Sequence, residues 1–150
     1  MFASEQEMSN QFEKFIRLKF GNAYVKEQSG LFGVPDFIFF AKQEDELSIV
    51  SFELKLSDWR RAAKQAFRYK SFSHVSYVVL PTTKKSIASD NIELFRKYKI
   101  GLAFFNDNNN FEILLKPEIN EPYSTNLKER ITKTLAKSRK RAKNVQLLIG

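Results

Sequence analysis

The sequence predicts an α/β fold in which a mixed central β-sheet is flanked by α-helices. Residues 4–20 and 59–72 have the hydrophobic spacing of amphipathic helices. Residues 37–41 and 48–54 are rich in the aromatic and β-branched side chains that favour strands, and residues 76–80 form the nearly continuous apolar run of a buried strand. Helices and strands therefore alternate along the chain, which is the pattern of the α/β class.

The first helix has both of its ends marked in the sequence. Ser4 is followed three residues later by Glu7, which is a capping-box pattern, and Gly21 is placed to end the helix. A short strand is predicted around residues 23–25, and residues 28–35 have the glycines and proline of a loop. The apolar face of the helix consists of Met8, Phe12, Phe15, Ile16 and Phe20.

The two strand segments that follow are predicted to form a β-hairpin whose turn is centred on Glu44 and Asp45. With that turn, Asp36 falls directly opposite Glu53. Side chains alternate along a strand, so Glu53 and Lys55 share one face. Two carboxylates opposite each other on a sheet repel unless a cation compensates them. The hairpin therefore predicts a divalent-cation site beside an ammonium group.

The helix predicted after the hairpin separates its faces sharply. Ser57 or Asp58 can cap its N-terminus, and its alanines and aromatic residues form one arc that suits close packing on a sheet. Gln65 lies at the border of the two faces. The opposite, basic face consists of Arg60, Arg61, Lys64 and Arg68. Arg61, Lys64 and Arg68 are predicted to bind nucleic acid.

The remaining pattern completes a domain predicted at residues 1–123. A helix is predicted at residues 86–98, and strands are predicted at residues 100–105 and 111–115. Trp59 and Tyr69 are predicted to pack in the core, and His74 is predicted to lie in a surface turn without a role in chemistry.

Residues 124–150 are predicted to form a basic C-terminal helical tail. A narrow apolar stripe of Leu127, Ile131 and Leu135 runs among many lysines and arginines. Two interpretations stay open. The tail is either a basic helix that binds phosphates, with Arg139 and Arg141 among the contacts, or a helix docked by its stripe with a solvated end.

The composition narrows the class of function. The chain of 150 residues contains no cysteine and one histidine, so disulfides and thiolate sites are excluded and zinc is disfavoured. A catalytic metal would be held by oxygen ligands, which favours Mg²⁺, with Mn²⁺ as a substitute. The net charge of +8 predicts attraction to polyanions. The absence of a secretory signal or a membrane-spanning run predicts a cytoplasmic protein with no membrane partner.

Several of these positions together resemble the PD-(D/E)xK nuclease superfamily, the restriction-endonuclease-like fold shared by restriction enzymes, archaeal-type Holliday junction resolvases and recombination nucleases. The resemblance covers roughly residues 7 to 105 of the chain. Its motifs are Glu13 in the first helix, Pro35-Asp36 and Glu53-Leu54-Lys55 in the hairpin, and Gln65 with Tyr69 in the next helix. Ser29-Gly30 is similar to the small polar loop of the archaeal-type junction resolvases.

The resemblance implies a restriction-endonuclease-like core and a Mg²⁺-dependent endonuclease acting on DNA in restriction, repair or junction resolution. It implies that Asp36, Glu53 and Glu13 support the metal, and that Lys55 orients or activates the attacking water. Gln65 is implied to lie near the site.

Two other functions stay open at this point. One is a catalytically silent nucleic-acid-binding module on the same fold, against which the intact Asp-Glu-Lys set argues. The other is a structural or accessory protein-interaction domain whose lysines serve solubility. A homodimer would suit paired cuts on both DNA strands, and two-fold symmetry is the commonest assembly, although the sequence identifies no interface.

Overall fold

The computed structural model describes residues 1–150 and has an α/β fold with helices on both faces of one six-stranded mixed sheet. The sheet order is β1-β2-β3-β4-β5-β6; β3, β4 and β5 are parallel, and the other neighbours are antiparallel. The elements are α1 (Glu5–Phe20), β1 (Tyr24–Lys26), β2 (Phe37–Gln43), β3 (Glu46–Leu54), α2 (Trp59–Tyr69), β4 (Val75–Pro81), α3 (Lys85–Asp90), α4 (Ile92–Tyr98), β5 (Gly101–Phe105), β6 (Phe111–Leu115) and α5 (Thr125–Ala136). The predicted class is confirmed.

The caps of α1 and α2 are those that the sequence predicts. The Ser4 hydroxyl accepts a hydrogen bond from the Glu7 N–H at 3.0 Å, and the Asp58 carboxylate accepts one from the Arg61 N–H at 3.2 Å. Each bond satisfies a backbone donor that has no partner inside the helix. Gly21 ends α1 with a φ of 90°, a conformation that glycine adopts without strain.

The β2–β3 hairpin has the predicted register. Phe37 pairs with Phe52, and Gln43 pairs with Glu46 around a turn at Glu44 and Asp45. The ladder extends beyond the regular strand, because the Asp36 N–H donates to the Phe52 carbonyl at 3.1 Å. Asp36 therefore lies at the open end of the hairpin, where the sequence places it opposite Glu53.

The two faces of β3 belong to different cores. Val50, Phe52 and Leu54 pack in the large core under α1. The intervening Ser51 and Glu53 point to the other face, where α2 packs. The α1 core is built from phenylalanine rings; those around Phe12 are Phe15, Phe37, Phe52, Phe105 and Phe111, with centroids 5.3 to 6.2 Å from it.

Two local predictions are wrong. The helix predicted at residues 86–98 is broken at Asn91, whose side chain donates to the Ile87 carbonyl at 2.8 Å. Asparagine offers the backbone such an alternative to the regular helix. His74 is buried rather than in a surface turn, because its Nδ1 accepts the Ile49 N–H at 3.1 Å at the start of the β3–β4 pairing. Burial lowers the pKa of this histidine.

The tail differs from a continuous basic helix. Its helical part, α5, ends at Ala136 and docks by Ile131 and Leu135, as one of the two interpretations predicts. The chain then returns to α1, and Leu148 and Ile149 enter the large core. Like charges three and four residues apart, among Lys137, Lys140, Arg141 and Lys143, disfavour a longer helix through repulsion. No helix of the chain combines the length and apolar character that crossing a bilayer requires.

Candidate active site

Asp36 and Glu53 form a cross-strand pair of carboxylates at the open end of the hairpin, on the α2 face of the sheet. Asp36 Oδ2 accepts the Leu54 N–H at 2.7 Å, which fixes that carboxylate against β3. Glu53 is only 4% exposed, and its Oε1 accepts the Tyr69 hydroxyl at 2.5 Å. The predicted juxtaposition is thus present, and both side chains are held by specific donors.

The environment of the pair disfavours two negative charges. Burial raises the pKa of Glu53 to about 8, and the neighbouring charge of Asp36 contributes in the same direction. Burial also raises the pKa of Asp36. Lys55 acts against both shifts without reversing them. A cation placed between the two carboxylates would relieve this repulsion.

Lys55 follows Glu53 by two residues and lies on the same face of the sheet. Its backbone N–H donates to the Val79 carbonyl at 3.1 Å, so the β3–β4 pairing continues through this residue. Its side chain is half-buried and forms no salt bridge. The charge of Lys55 lowers the pKa of both carboxylates, and without a salt bridge the ammonium remains available to an anionic ligand.

The donor set fits a hard divalent cation with few protein ligands. No group of three or more acidic, histidine or cysteine side chains is placed to hold a metal ion. Mg²⁺ is commonly bound through one or two carboxylates, with waters and substrate phosphates completing its octahedron. Asp36 and Glu53 supply two such oxygen ligands in a site whose excess negative charge needs compensation.

Glu13, predicted to support the metal, is not brought to this pair. It lies in the middle of α1, where its partners belong to β1 rather than to the end of β3. It accepts hydrogen bonds from Tyr24 Oη at 2.7 Å and Lys26 Nζ at 2.9 Å, and despite partial burial these partners lower its pKa. The acid of α1 whose charge acts on both Asp36 and Glu53 is Glu5.

Glu5 reaches the site because α1 begins beside the end of β3. Its Oε1 accepts the Leu56 N–H at 3.4 Å. Nothing in the sequence selects Glu5, because an acid on the polar face of a helix is usually a solvated charge. Glu5 rather than Glu13 lies near the site because of the direction in which α1 crosses the sheet. The spacing of residues along the helix does not reveal that direction.

Gln65 and Tyr69 lie one turn apart on the same side of α2. Tyr69, predicted to be a core residue, is indeed buried, but its hydroxyl donates to Glu53 and also contacts the Val34 carbonyl at 3.1 Å. Gln65 Oε1 is buried without a hydrogen-bond partner. This unpaired acceptor lies one helical turn from Tyr69, which donates to Glu53. A buried acceptor without a partner suits a site that binds a water molecule or another hydrogen-bond donor.

The predicted nucleic-acid contacts fall into two separate groups. Arg61, Lys64 and Arg68 are exposed on α2, the helix that supplies Tyr69 to the site. Arg139 and Arg141 instead line a groove of about 600 Å³ beside Lys42, at the turn end of β2. Lys42 lies six residues from Asp36 along β2, which is about 20 Å of extended strand.

Comparisons of the chain with protein-family models, with curated proteins and with solved structures found no match. The resemblance to the nuclease superfamily stays a prediction that depends on the residues described above.

Proposed function

We propose that this protein is a metal-dependent endonuclease that hydrolyses DNA phosphodiester bonds at Asp36, Glu53 and Lys55. The observation that carries the proposal is the cross-strand pair of the buried Glu53 and the half-buried Asp36, with Lys55, which forms no salt bridge, two residues after Glu53. We also propose that the hairpin, α2 and β4 form a restriction-endonuclease-like core, since their order along the chain is the one the resemblance implies.

The position of each residue in the site determines its proposed role in the reaction. Asp36 and Glu53 would hold Mg²⁺, for which Mn²⁺ can substitute. When bound, the cation would polarise the scissile phosphate and lower the pKa of a water. Lys55 binds a phosphate oxygen and stabilises the negative charge that develops during attack. Tyr69 holds Glu53 in place through its hydroxyl.

DNA is the substrate that the charge distribution favours. The net charge of +8 attracts polyanions. Arg61, Lys64 and Arg68 are exposed on the helix next to the site, and none of them forms a salt bridge, so their charges are free for phosphates. Phosphate contacts of this kind position a substrate without specifying its sequence.

The test is cleavage of labelled duplex, single-stranded, flapped and four-way-junction DNA with Mg²⁺, with Mn²⁺ and with chelator. Wild type is compared with Lys55→Ala and with Lys14→Ala, which removes the same charge from an exposed position on α1. Metal-dependent cleavage that Lys55→Ala alone abolishes supports the proposal. If wild type binds DNA with a steep salt dependence and cuts nothing, the silent binding module is the better function; neither binding nor cleavage favours an accessory domain.

A further inference from the structure

The loop that joins β1 to β2 (residues 27–35, the β1–β2 loop) is held against the candidate site by contacts with α2 and α5. Gly33 has a φ of 82° and lies so close to the Tyr69 ring that an added Cβ would be 2.9 Å from it. The Val34 carbonyl accepts the Tyr69 hydroxyl, and Arg130 of α5 donates to the Gly30 carbonyl. The Tyr69 hydroxyl also donates to Glu53, so the same side chain contacts both the β1–β2 loop and the Glu53 carboxylate.

The β1–β2 loop presents apolar side chains to solvent beside the site. Phe32 is 52% exposed and Val34 is 50% exposed, and both lie within four residues of Asp36. The Arg68 guanidinium lies over the Phe32 ring, 5.5 Å from its centroid. An exposed aromatic face next to a cation is the pairing with which proteins bind single strands, the ring stacking on a base and the cation meeting the backbone.

The position of Phe32 restricts the DNA that it can contact. Bases in a continuous duplex are stacked on each other, so their faces are not open to a side chain, whereas an unpaired nucleotide offers its face at little cost. A strand whose phosphate meets Lys55 would bring a neighbouring nucleotide past the β1–β2 loop. Arg61 and Lys64 lie on the same side of α2 as Arg68. Together these three cations could contact successive phosphates of the DNA strand.

We propose that Phe32 stacks on an unpaired base next to the scissile phosphate while Arg68 contacts the same strand. This inference rests on the proposed nuclease function and deepens it by naming the substrate class. The preferred substrate is DNA with unpaired nucleotides at the cleavage position, such as a flap, gap or single strand, rather than continuous duplex.

The experiment measures binding, with Ca²⁺ in place of Mg²⁺, to a flapped DNA and to a blunt duplex of the same sequence. The flap carries 2-aminopurine at each of the unpaired positions in turn. Phe32→Ala is compared with Phe32→Trp and with Leu18→Ala, which truncates an exposed apolar residue on α1, and circular dichroism verifies that each variant is folded. We expect Phe32→Ala to weaken flap binding about 10-fold and to abolish quenching of 2-aminopurine, with duplex binding unchanged. Phe32→Trp should retain both.

The inference and the proposed function can fail separately. If wild type cuts DNA with Mg²⁺ but Phe32→Ala binds the flap as wild type does, or loses duplex and flap binding equally, the stacking role is wrong and the nuclease stands. If wild type cuts none of the DNA panel, the nuclease is wrong, and quenching by Phe32 still decides whether the loop stacks on a base.

Discussion

The Tyr69 hydroxyl donates a 2.5 Å hydrogen bond to Glu53 Oε1 on the α2 face of the sheet. This contact joins the helix that carries the basic face to one of the two carboxylates of the candidate site. It also works against the burial that raises the pKa of Glu53. The hydroxyl therefore favours the ionised form of the carboxylate, which is the form a metal ion binds.

Tyr69→Phe should weaken metal binding without disturbing the packing of the ring. Loss of the hydroxyl removes the donor that favours ionised Glu53, and replacing such a ligand-orienting group costs about 10-fold in metal affinity. A Mg²⁺ titration of single-turnover cleavage measures the change. Tyr98→Phe, which alters a tyrosine outside the site, is the control, and equal Mg²⁺ requirements for the two variants would contradict the role of Tyr69.

Without metal, the protein should lose stability as the pH rises from about 5 to 8. The pKa of Glu53 is about 8 in the folded state, against a reference of 4.5. Between these values the folded protein retains a proton that the unfolded chain releases, so stability is greatest at low pH and is lost through about pH 8. The slope is at most about 1.4 kcal/mol per pH unit for this one group.

Urea unfolding in chelator at several pH values measures that slope. Glu53→Gln keeps the shape of the side chain and accepts the Tyr69 hydroxyl, but it does not titrate, so its stability should fall less steeply over the same range. Parallel curves for wild type and variant would show that Glu53 is already ionised in the metal-free fold.

Glu5→Gln should alter catalysis more than Glu13→Gln does. The charge of Glu5 acts on both site carboxylates, whereas Glu13 is bound to Lys26 and Tyr24 on the α1 side of the sheet. We expect Glu13→Gln to cleave at the wild-type rate and Glu5→Gln to shift the pH dependence of cleavage to lower pH, because one raising charge is gone. If Glu13→Gln loses cleavage and Glu5→Gln does not, the prediction is wrong and Glu13 supports the metal.

The basic residues of α2 should dominate DNA affinity. Replacement of Arg61, Lys64 and Arg68 by alanine should flatten the logarithmic dependence of affinity on salt by about 0.9 for each phosphate that the protein no longer neutralises. The Arg139→Ala/Arg141→Ala double variant removes charge from the groove beside Lys42, which lies about 20 Å along β2 from Asp36, and should leave the cleavage rate unchanged. Binding isotherms between low and moderate salt distinguish the two groups of cations. If the Arg139→Ala/Arg141→Ala variant loses more affinity than the α2 variant, the DNA binds at the groove lined by Arg139 and Arg141.

Truncation after Tyr123 should destabilise the protein rather than merely remove charge. Ile131 and Leu135 of α5 are buried against the sheet. Leu148 enters the α1 core, where the Tyr77 hydroxyl donates to its carbonyl at 2.7 Å. Leu148→Ala alone should cost about 2–5 kcal/mol, as large-to-small core changes do. Chemical denaturation tests this, and a truncated chain as stable as wild type would show that the tail is dispensable.

Local patterns determined much of the fold and the centre of the candidate site. The Ser4 and Asp58 caps, the alternation of β3 and the turn at Glu44 depend on residues close together in the chain. Since an antiparallel register follows from its turn, the opposition of Asp36 and Glu53 could be predicted before any packing was known. Lys55 followed from the same alternation.

Only the tertiary structure decided which residues from distant segments meet that pair. The direction of α1 places Glu5, at the helix start, beside the end of β3 and places Glu13 against Tyr24 and Lys26 of β1. The role of Tyr69 depends on how α2 lies across β3, and the burial of His74 depends on the β3–β4 junction. Helical periodicity identifies the face that is buried but not the partner that buries it, and that choice is made by long-range packing.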